Sequence, residues 1–310
     1  MAHTKHRFVV VGTPLGHTLS PLMHNAAFKA GLVDAHFDAY DPETAEGFLH
    51  FCDDVARAAQ SVEKVGGFCV TVPYKRYAHQ RCEVLSNAAE QCGAVNVVTR
   101  CEGGVLYGDN TDAIGFLRAL SAQLLEQSQR EILSTDRALI FGTGGAAHAV
   151  LYALITAGIS EIYVSSRRLE KAEAFIGEMD SCAEDKGVKL RACCGLDGVE
   201  EQTFDYVVNA TPLGLRADDP LVAPAQWVSR QVKFLYDVVY NKATTTPLIE
   251  AARAGCVPCA DGRLMLIEQG IAAQEIWNER YHFWDDEETK SRAMCALRNA
   301  VIQAKDGENA

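Results

Sequence analysis

The chain has 310 residues, 48% hydrophobic and 23% charged. That is enough apolar side chain for a sizeable core, and longer than one ordinary domain of ~100–200 residues, so two compact units are expected. The formal net charge of -12 argues against a nucleic-acid partner, because the summed field repels phosphates, and a small anionic substrate would need a local cationic pocket. No apolar run approaches the ~20 residues of a membrane span. The start MAHTKHRFVVVGTPLG has no long apolar signal core, so a cytoplasmic protein with reduced thiols is expected.

Short apolar runs alternate with longer amphipathic stretches, the pattern of parallel strands joined by crossover helices. A first strand runs from Arg7 to Gly12, and a helix begins near Ser20-Pro21, with serine as cap and proline at the first helical position. A strand from Gly67 to Val72 is stopped by Pro73, and a helix from Lys75 to Cys92 follows. The stretches GAVNVVT (93–99) and GGVLYGDNTD (103–112) form a hairpin-like pair, and Ile114 to Gln129 is a long helix that serves as a hinge between units.

A fresh series then begins with strand Arg137 to Phe141, a glycine turn, helix Ala146 to Ala157, strand Glu161 to Ser165 and helix Leu169 to Asp180. Strands Val188 to Ala192, Asp205 to Asn209 and Phe234 to Val239 complete a doubly wound dinucleotide fold. Helices Met265 to Trp277 and Asp286 to Lys305 fall outside it, and the tail KDGENA is expected to fray.

Between strand and helix stand Gly142-Thr143-Gly144-Gly145-Ala146-Ala147. Glycine makes the tight turn, a second lets backbone approach a pyrophosphate, and the helix N-terminus offers N–H groups and partial positive charge. An NAD site would have a ribose-binding acid about 20 residues on. The chain has Ser165-Ser166-Arg167-Arg168 there instead, and guanidinium groups with hydroxyls fit a 2′-phosphate, so NADP is favoured. The alternative is that the arginines are a solvated helix start.

Eleven cysteines include Cys256 and Cys259 at redox or zinc spacing, but no second pair matches them, and a structural role is expected for these and for Cys193 and Cys194. His17 and His24 have no third ligand at metal spacing, so no metal is expected.

Three segments of the first unit place hydroxyls, amides or charge just beyond strand-like runs, where open α/β sheets bind ligands: GTPLGHTLSPLMHNAAF, GFCVTVPYK, and GAVNVV with GDNTDAIGF. Together with GTGGAA, NATPLG, YDVVY, TPL and MLIEQ, from Phe8 to about Trp277, these ordered blocks resemble the shikimate dehydrogenase family. The resemblance implies a two-domain α/β protein. Residues 1–112, completed by 264–310 as the C-terminal helices return, bind substrate, and residues 113–263 form a Rossmann-type NADP domain.

It implies NADP-dependent, reversible reduction of 3-dehydroshikimate to shikimate in a cleft between the units, by a monomer or homodimer. Lys75 and Asp112 become the catalytic pair. Thr18 and Ser20 become carboxylate-binding positions, Thr71, Asn96 and Gln269 further substrate contacts, and Tyr240 a residue near the nicotinamide end. Gly142, Thr143, Gly144, Gly145, Ala146, Ser166, Arg167, Arg168 and Thr211 fall on the cofactor side. The chemistry agrees: hydride delivery to a ketone develops negative charge on oxygen, which a nearby ammonium can meet by donating a proton.

The sequence departs from the family pattern at Cys69, where asparagine is usual, at Thr18 in place of serine, at Ala113 after NTD, and in NKATTTPL after Tyr240. These departures leave open a relative acting on quinate or an amino analogue. A non-catalytic NADP-sensing module is the alternative from another class, and retention of both Lys75 and Asp112 speaks against it.

Overall fold

The run FVVV is apolar on both faces and ends in three β-branched valines, the pattern of a strand covered from both sides, and it becomes the core of β1 (His6–Val11), whose last four residues are buried. The computed structural model describes residues 6–16, 18–58, 65–216, 218–240 and 245–306. His17, residues 241–244 of NKATTTPL and the end of the tail lie outside the described residues. Two compact units divide the chain, one of residues 1–111 with 269–310 and the other of 112–268.

In the first unit β1 is followed by α1 (Ser20–Ala30), β2 (Ala35–Tyr40), α2 (Ala45–Arg57), β3 (Val65–Val70), α3 (Lys75–Arg81), β4 (Val84–Leu85), α4 (Asn87–Cys92), β5 (Val97–Arg100) and β6 (Leu106–Asp109). The sheet order is β2-β1-β3-β5-β6-β4. It is mixed rather than parallel throughout: β1 pairs in parallel with β2 and β3, while β5 runs antiparallel to both β3 and β6. The hairpin-like pair is thus present, and the crossover pattern stops at it.

Two local expectations for the first unit do not hold. The helix expected from Lys75 to Cys92 is two helices. Cys82 is extended, the Glu83 carboxylate accepts the Leu106 amide at 2.7 Å, and Ser86 caps α4 by accepting the Ala89 amide at 3.1 Å, a restart signal that outweighs helical periodicity. Nor does Ser20 cap α1: the N-cap is Leu19, already near helical dihedrals and without a side-chain cap. Ser20 is the first helical residue.

The second unit carries α5 (Thr111–Ser128), β7 (Arg137–Phe141), α6 (Gly145–Thr156), β8 (Glu161–Ser166), α7 (Leu169–Gly177), α8 (Asp180–Lys186), β9 (Lys189–Cys194), β10 (Tyr206–Asn209), α9 (Ala225–Gln231), β11 (Leu235–Asp237), α10 (Pro247–Ala254) and β12 (Cys259–Asp261). The order β12-β11-β10-β7-β8-β9, parallel throughout, is the doubly wound order, with its switch point between β7 and β10. The helix expected to reach Asp180 ends at Gly177 and restarts as α8.

The last helices are α11 (Arg263–Tyr281) and α12 (Glu287–Asp306). From Gln269 onward they belong to the first unit, where Trp277 is fully buried with Phe8, Phe28 and Phe37. The Trp277 indole lies 4.5 Å from the Phe8 ring, and Tyr281 donates its hydroxyl to the carbonyls of Gly66 at 2.7 Å and Arg100 at 3.0 Å. Each such buried aromatic contributes on the order of 1.5–3 kcal/mol of transfer free energy.

All eleven cysteines are free thiols. Cys259 points at the Ile249 carbonyl, 4.0 Å away, and Cys256 is exposed in a left-handed turn. Among the described residues no helix is long and apolar enough to cross a membrane, and no three His, Cys, Asp or Glu side chains are grouped to hold a metal ion.

Candidate active site

In the first unit the polar residues singled out by sequence gather beyond the carboxyl ends of β1 and β3. Thr71 follows β3, its amide donating to the Val11 carbonyl and its own carbonyl accepting the Tyr74 amide, both at 2.9 Å. Tyr74, the N-cap of α3, is fully buried and stacked on Phe48 at 5.0 Å. That anchor fixes where Lys75 emerges. Lys75 is half-buried at the first position of α3, whereas Arg76 beside it is exposed.

The Lys75 carbonyl accepts the Val95 amide at 3.0 Å, which sets the next residue, Asn96, alongside. Asn96 is buried, and its amide bonds its neighbours: Nδ2 donates to Thr111 Oγ1 at 3.0 Å and to Gln269 Oε1 at 3.4 Å, and Oδ1 accepts the Thr111 amide at 2.7 Å. Thr111 directly precedes Asp112. Asp112 is buried in the first turn of α5, where the helix dipole favours a carboxylate.

Thr18 accepts the Ser20 amide on Oγ1 at 3.2 Å, which leaves its hydroxyl proton to donate elsewhere, and the Ser20 hydroxyl is not used as a cap.

One turn along from Ser20 stands a packing histidine, as expected, with partners the sequence did not reveal. His24 is fully buried, stacked on Phe37 at 4.4 Å, and accepts from Gln274 Nε2 on Nδ1 at 2.8 Å. Burial pulls its pKa down to about 3, so the ring is neutral. Its Nε2 lies 3.9 Å from the Cys69 thiol. The side chain at the departure position 69 therefore lies in the aromatic core against His24. The helical spacing from Ser20 to His24 is the signal that could have found this contact.

In the second unit the glycine turn sits at the switch point. Gly142 has φ of 116°, and a Cβ there would stand 2.8 Å from the Ala210 carbonyl oxygen and 3.2 Å from the Thr211 methyl, so only glycine fits. Thr143 and Ala146 are half-buried, while Gly144 and Gly145 are exposed at the start of α6, with open space where side chains would be. The first amides of that helix carry no side-chain cap, which is the donor set an anionic diphosphate takes.

At the carboxyl end of β8, Ser166 accepts the Arg168 amide at 3.5 Å, and Arg167 and Arg168 are exposed. No acid stands in that turn, so the residues present fit a 2′-phosphorylated ribose.

At the end of β10, Asn209 is buried and holds the turn of NATPLG. Its Oδ1 accepts the Thr211 amide at 3.0 Å and the Thr211 hydroxyl at 2.7 Å, and its Nδ2 donates to the Leu213 carbonyl at 3.0 Å and to Asp237 Oδ1 at 2.8 Å. Asp237 also accepts the Val239 amide at 3.1 Å and the Thr246 hydroxyl at 2.5 Å. Burial raises its pKa to about 6. Tyr240, half-buried, has its phenol pKa pushed up by burial.

Comparisons with known proteins show which family the chain resembles. Residues 10–98 match the family model for the shikimate dehydrogenase substrate binding domain. The chain is 38% identical over 276 residues to a shikimate dehydrogenase (NADP(+)) of Methanopyrus kandleri, covering 86% of this chain and 88% of that one. It is 33% identical over 278 residues to one from Bacillus cereus, covering 88% and 92%. The fold matches the crystal structure of shikimate 5-dehydrogenase from Thermus thermophilus in complex with NADP(H) and shikimate, with a TM-score of 0.74 and 31% identity over 95% of this chain and 99% of that one.

Proposed function

Because the chain belongs to the shikimate dehydrogenase family, we propose that it catalyses the reversible NADP-dependent reduction of 3-dehydroshikimate to shikimate. The observation that carries this reading is the Asn96 side chain, which ties Thr111, the neighbour of Asp112, to Gln269 while the preceding residue holds the backbone of Lys75.

Bound NADPH supplies the hydride. The Lys75 ammonium donates a proton to the carbonyl oxygen as negative charge develops there, and takes it back in the reverse direction. Asp112 orients both Lys75 and a substrate hydroxyl. The hydroxyls of Thr18 and Ser20 would hold the substrate carboxylate, Thr71, Asn96 and Gln269 would be further substrate contacts, and Tyr240 would lie near the nicotinamide end. Gly142, Thr143, Gly144, Gly145 and Ala146 would take the diphosphate, Ser166, Arg167 and Arg168 the 2′-phosphate, and Thr211 would be a further cofactor contact.

The test is the near-ultraviolet absorbance of reduced nicotinamide when the purified chain is mixed with shikimate, quinate or an amino analogue and with NADP⁺ or NAD⁺. Fastest turnover with shikimate and NADP⁺ is expected. Silence with every acid would overturn the enzyme reading in favour of a sensor, and preference for quinate would move the substrate.

A further inference from the structure

We propose that Asp237 is a positioning residue for the reaction: its carboxylate fixes the loop after β10 and the arm after β11 to one point, so that Thr211 and Tyr240 are presented in a single arrangement. The inference rests on the cofactor-side roles proposed above for those two residues.

Asp237 is the last residue of β11 and has no exposed surface. One oxygen takes both Asn209 Nδ2 and the Val239 amide, and the other takes the Thr246 hydroxyl. Three pieces of chain therefore meet on one group. The first is the NATPLG turn, because Asn209 passes the constraint to Thr211 through two hydrogen bonds. The second is the arm carrying Tyr240, because Val239 is its immediate neighbour. The third is the start of α10, because Thr246 also accepts the Ile249 amide at 3.3 Å.

Thr211 in turn packs against the position of Gly142, so the chain of contacts runs from Asp237 to the glycine turn. Within hydrogen-bond distance among the described residues, the donors to Asp237 are all neutral. A fully buried carboxylate held by neutral donors is an expensive group to retain. Its partners stand at the end of β10 and in the segment after β11, at the carboxyl ends of the strands, where ligands of open α/β sheets bind.

The experiment compares Asp237→Ala, Asp237→Asn and Thr246→Val in the full chain, reading folded fraction, NADPH dissociation constant by nucleotide fluorescence, and kcat and KM separately. Displacing groups at a reacting centre by about 1 Å can cost on the order of 10²-fold. Asp237→Ala is therefore expected to lower kcat at least about 10-fold and to weaken NADPH, with shikimate binding in the absence of nucleotide unchanged. Asp237→Asn keeps the shape and two acceptor contacts, so it is expected to recover most of the loss, and Thr246→Val to fall between.

Should Asp237→Ala fail to fold, Asp237→Asn and Thr246→Val carry the same comparison. Wild-type constants in every folded variant, with only a lowered melting temperature, would overturn the proposal. So would an Asp237→Asn enzyme whose kcat is as low as that of Asp237→Ala. Failure of the wild-type chain to oxidise shikimate would instead defeat the proposed reaction, and the NADPH dissociation constants would still decide the role of Asp237.

Discussion

Gln274 on α11 donates to Nδ1 of His24 on α1 at 2.8 Å, across 250 residues of chain. One buried, neutral ring thereby ties the helix that begins at Ser20 to the helix that carries Gln269, two of the proposed substrate contacts.

The ring makes the first unit sensitive to acid. His24 titrates near its ordinary 6.5 when unfolded and at about 3 when folded, so its contribution is fully present above pH 6.5 and is lost as pH falls from there toward 3. The linkage amounts to about 2 kcal/mol by pH 5. Denaturant titrations at pH 7 and pH 5 are expected to show that much more acid destabilisation in wild type than in His24→Gln.

Asp237 works in the opposite sense. Its folded pKa of about 6 lies above the ordinary 3.8, so the fold is favoured with the proton on and loses stability as pH rises through the window between those values. The difference corresponds to roughly 3 kcal/mol. The gap in stability between wild type and Asp237→Asn should shift by about that amount in favour of the variant between pH 3.5 and pH 7, measured by chemical denaturation.

Lys75→Ala removes the proposed proton donor and leaves the glycine turn untouched. Turnover is expected to fall roughly 10²–10⁴-fold with the NADPH dissociation constant unchanged. Loss of nucleotide binding instead would take the lysine out of the reaction.

Arg167→Ala removes a charge-assisted contact of about 1.5–3 kcal/mol, hence a roughly tenfold or greater rise in KM for NADP⁺. Activity with NAD⁺ should be unaffected, and an equal loss with both nucleotides would contradict a 2′-phosphate role.

Trp277→Ala empties the centre of the aromatic cluster with Phe8, Phe28 and Phe37. A cost of about 3–5 kcal/mol is expected, read as a lower denaturation midpoint.

The doubly wound sheet was legible because its central strands are buried apolar runs at regular spacing; five of its six strands stand within two residues of where the apolar runs put them. β12 is three residues long and leaves almost no pattern. In the first unit β2 was passed over, since only Phe37 of its six residues is buried, and α2 was missed although Phe48, Phe51, Cys52 and Val55 follow helical spacing and Thr44 caps it. The candidate site was legible as a set of blocks but not as an arrangement. Asn96 and Gln269 meet across 173 residues, and Asn209 and Asp237 across 28. No local periodicity carries such pairs, so only the family resemblance put the first two together, and nothing in the chain pointed to the second.

The return of the chain to its first unit has a consequence for biosynthesis. When the ribosome has completed β1 to β6, the Phe8, Phe28 and Phe37 faces still wait for Trp277 and Tyr281, which are made only after the whole dinucleotide sheet. The unit that starts first thus finishes last, and during that interval its sticky aromatic surface is open to chaperones.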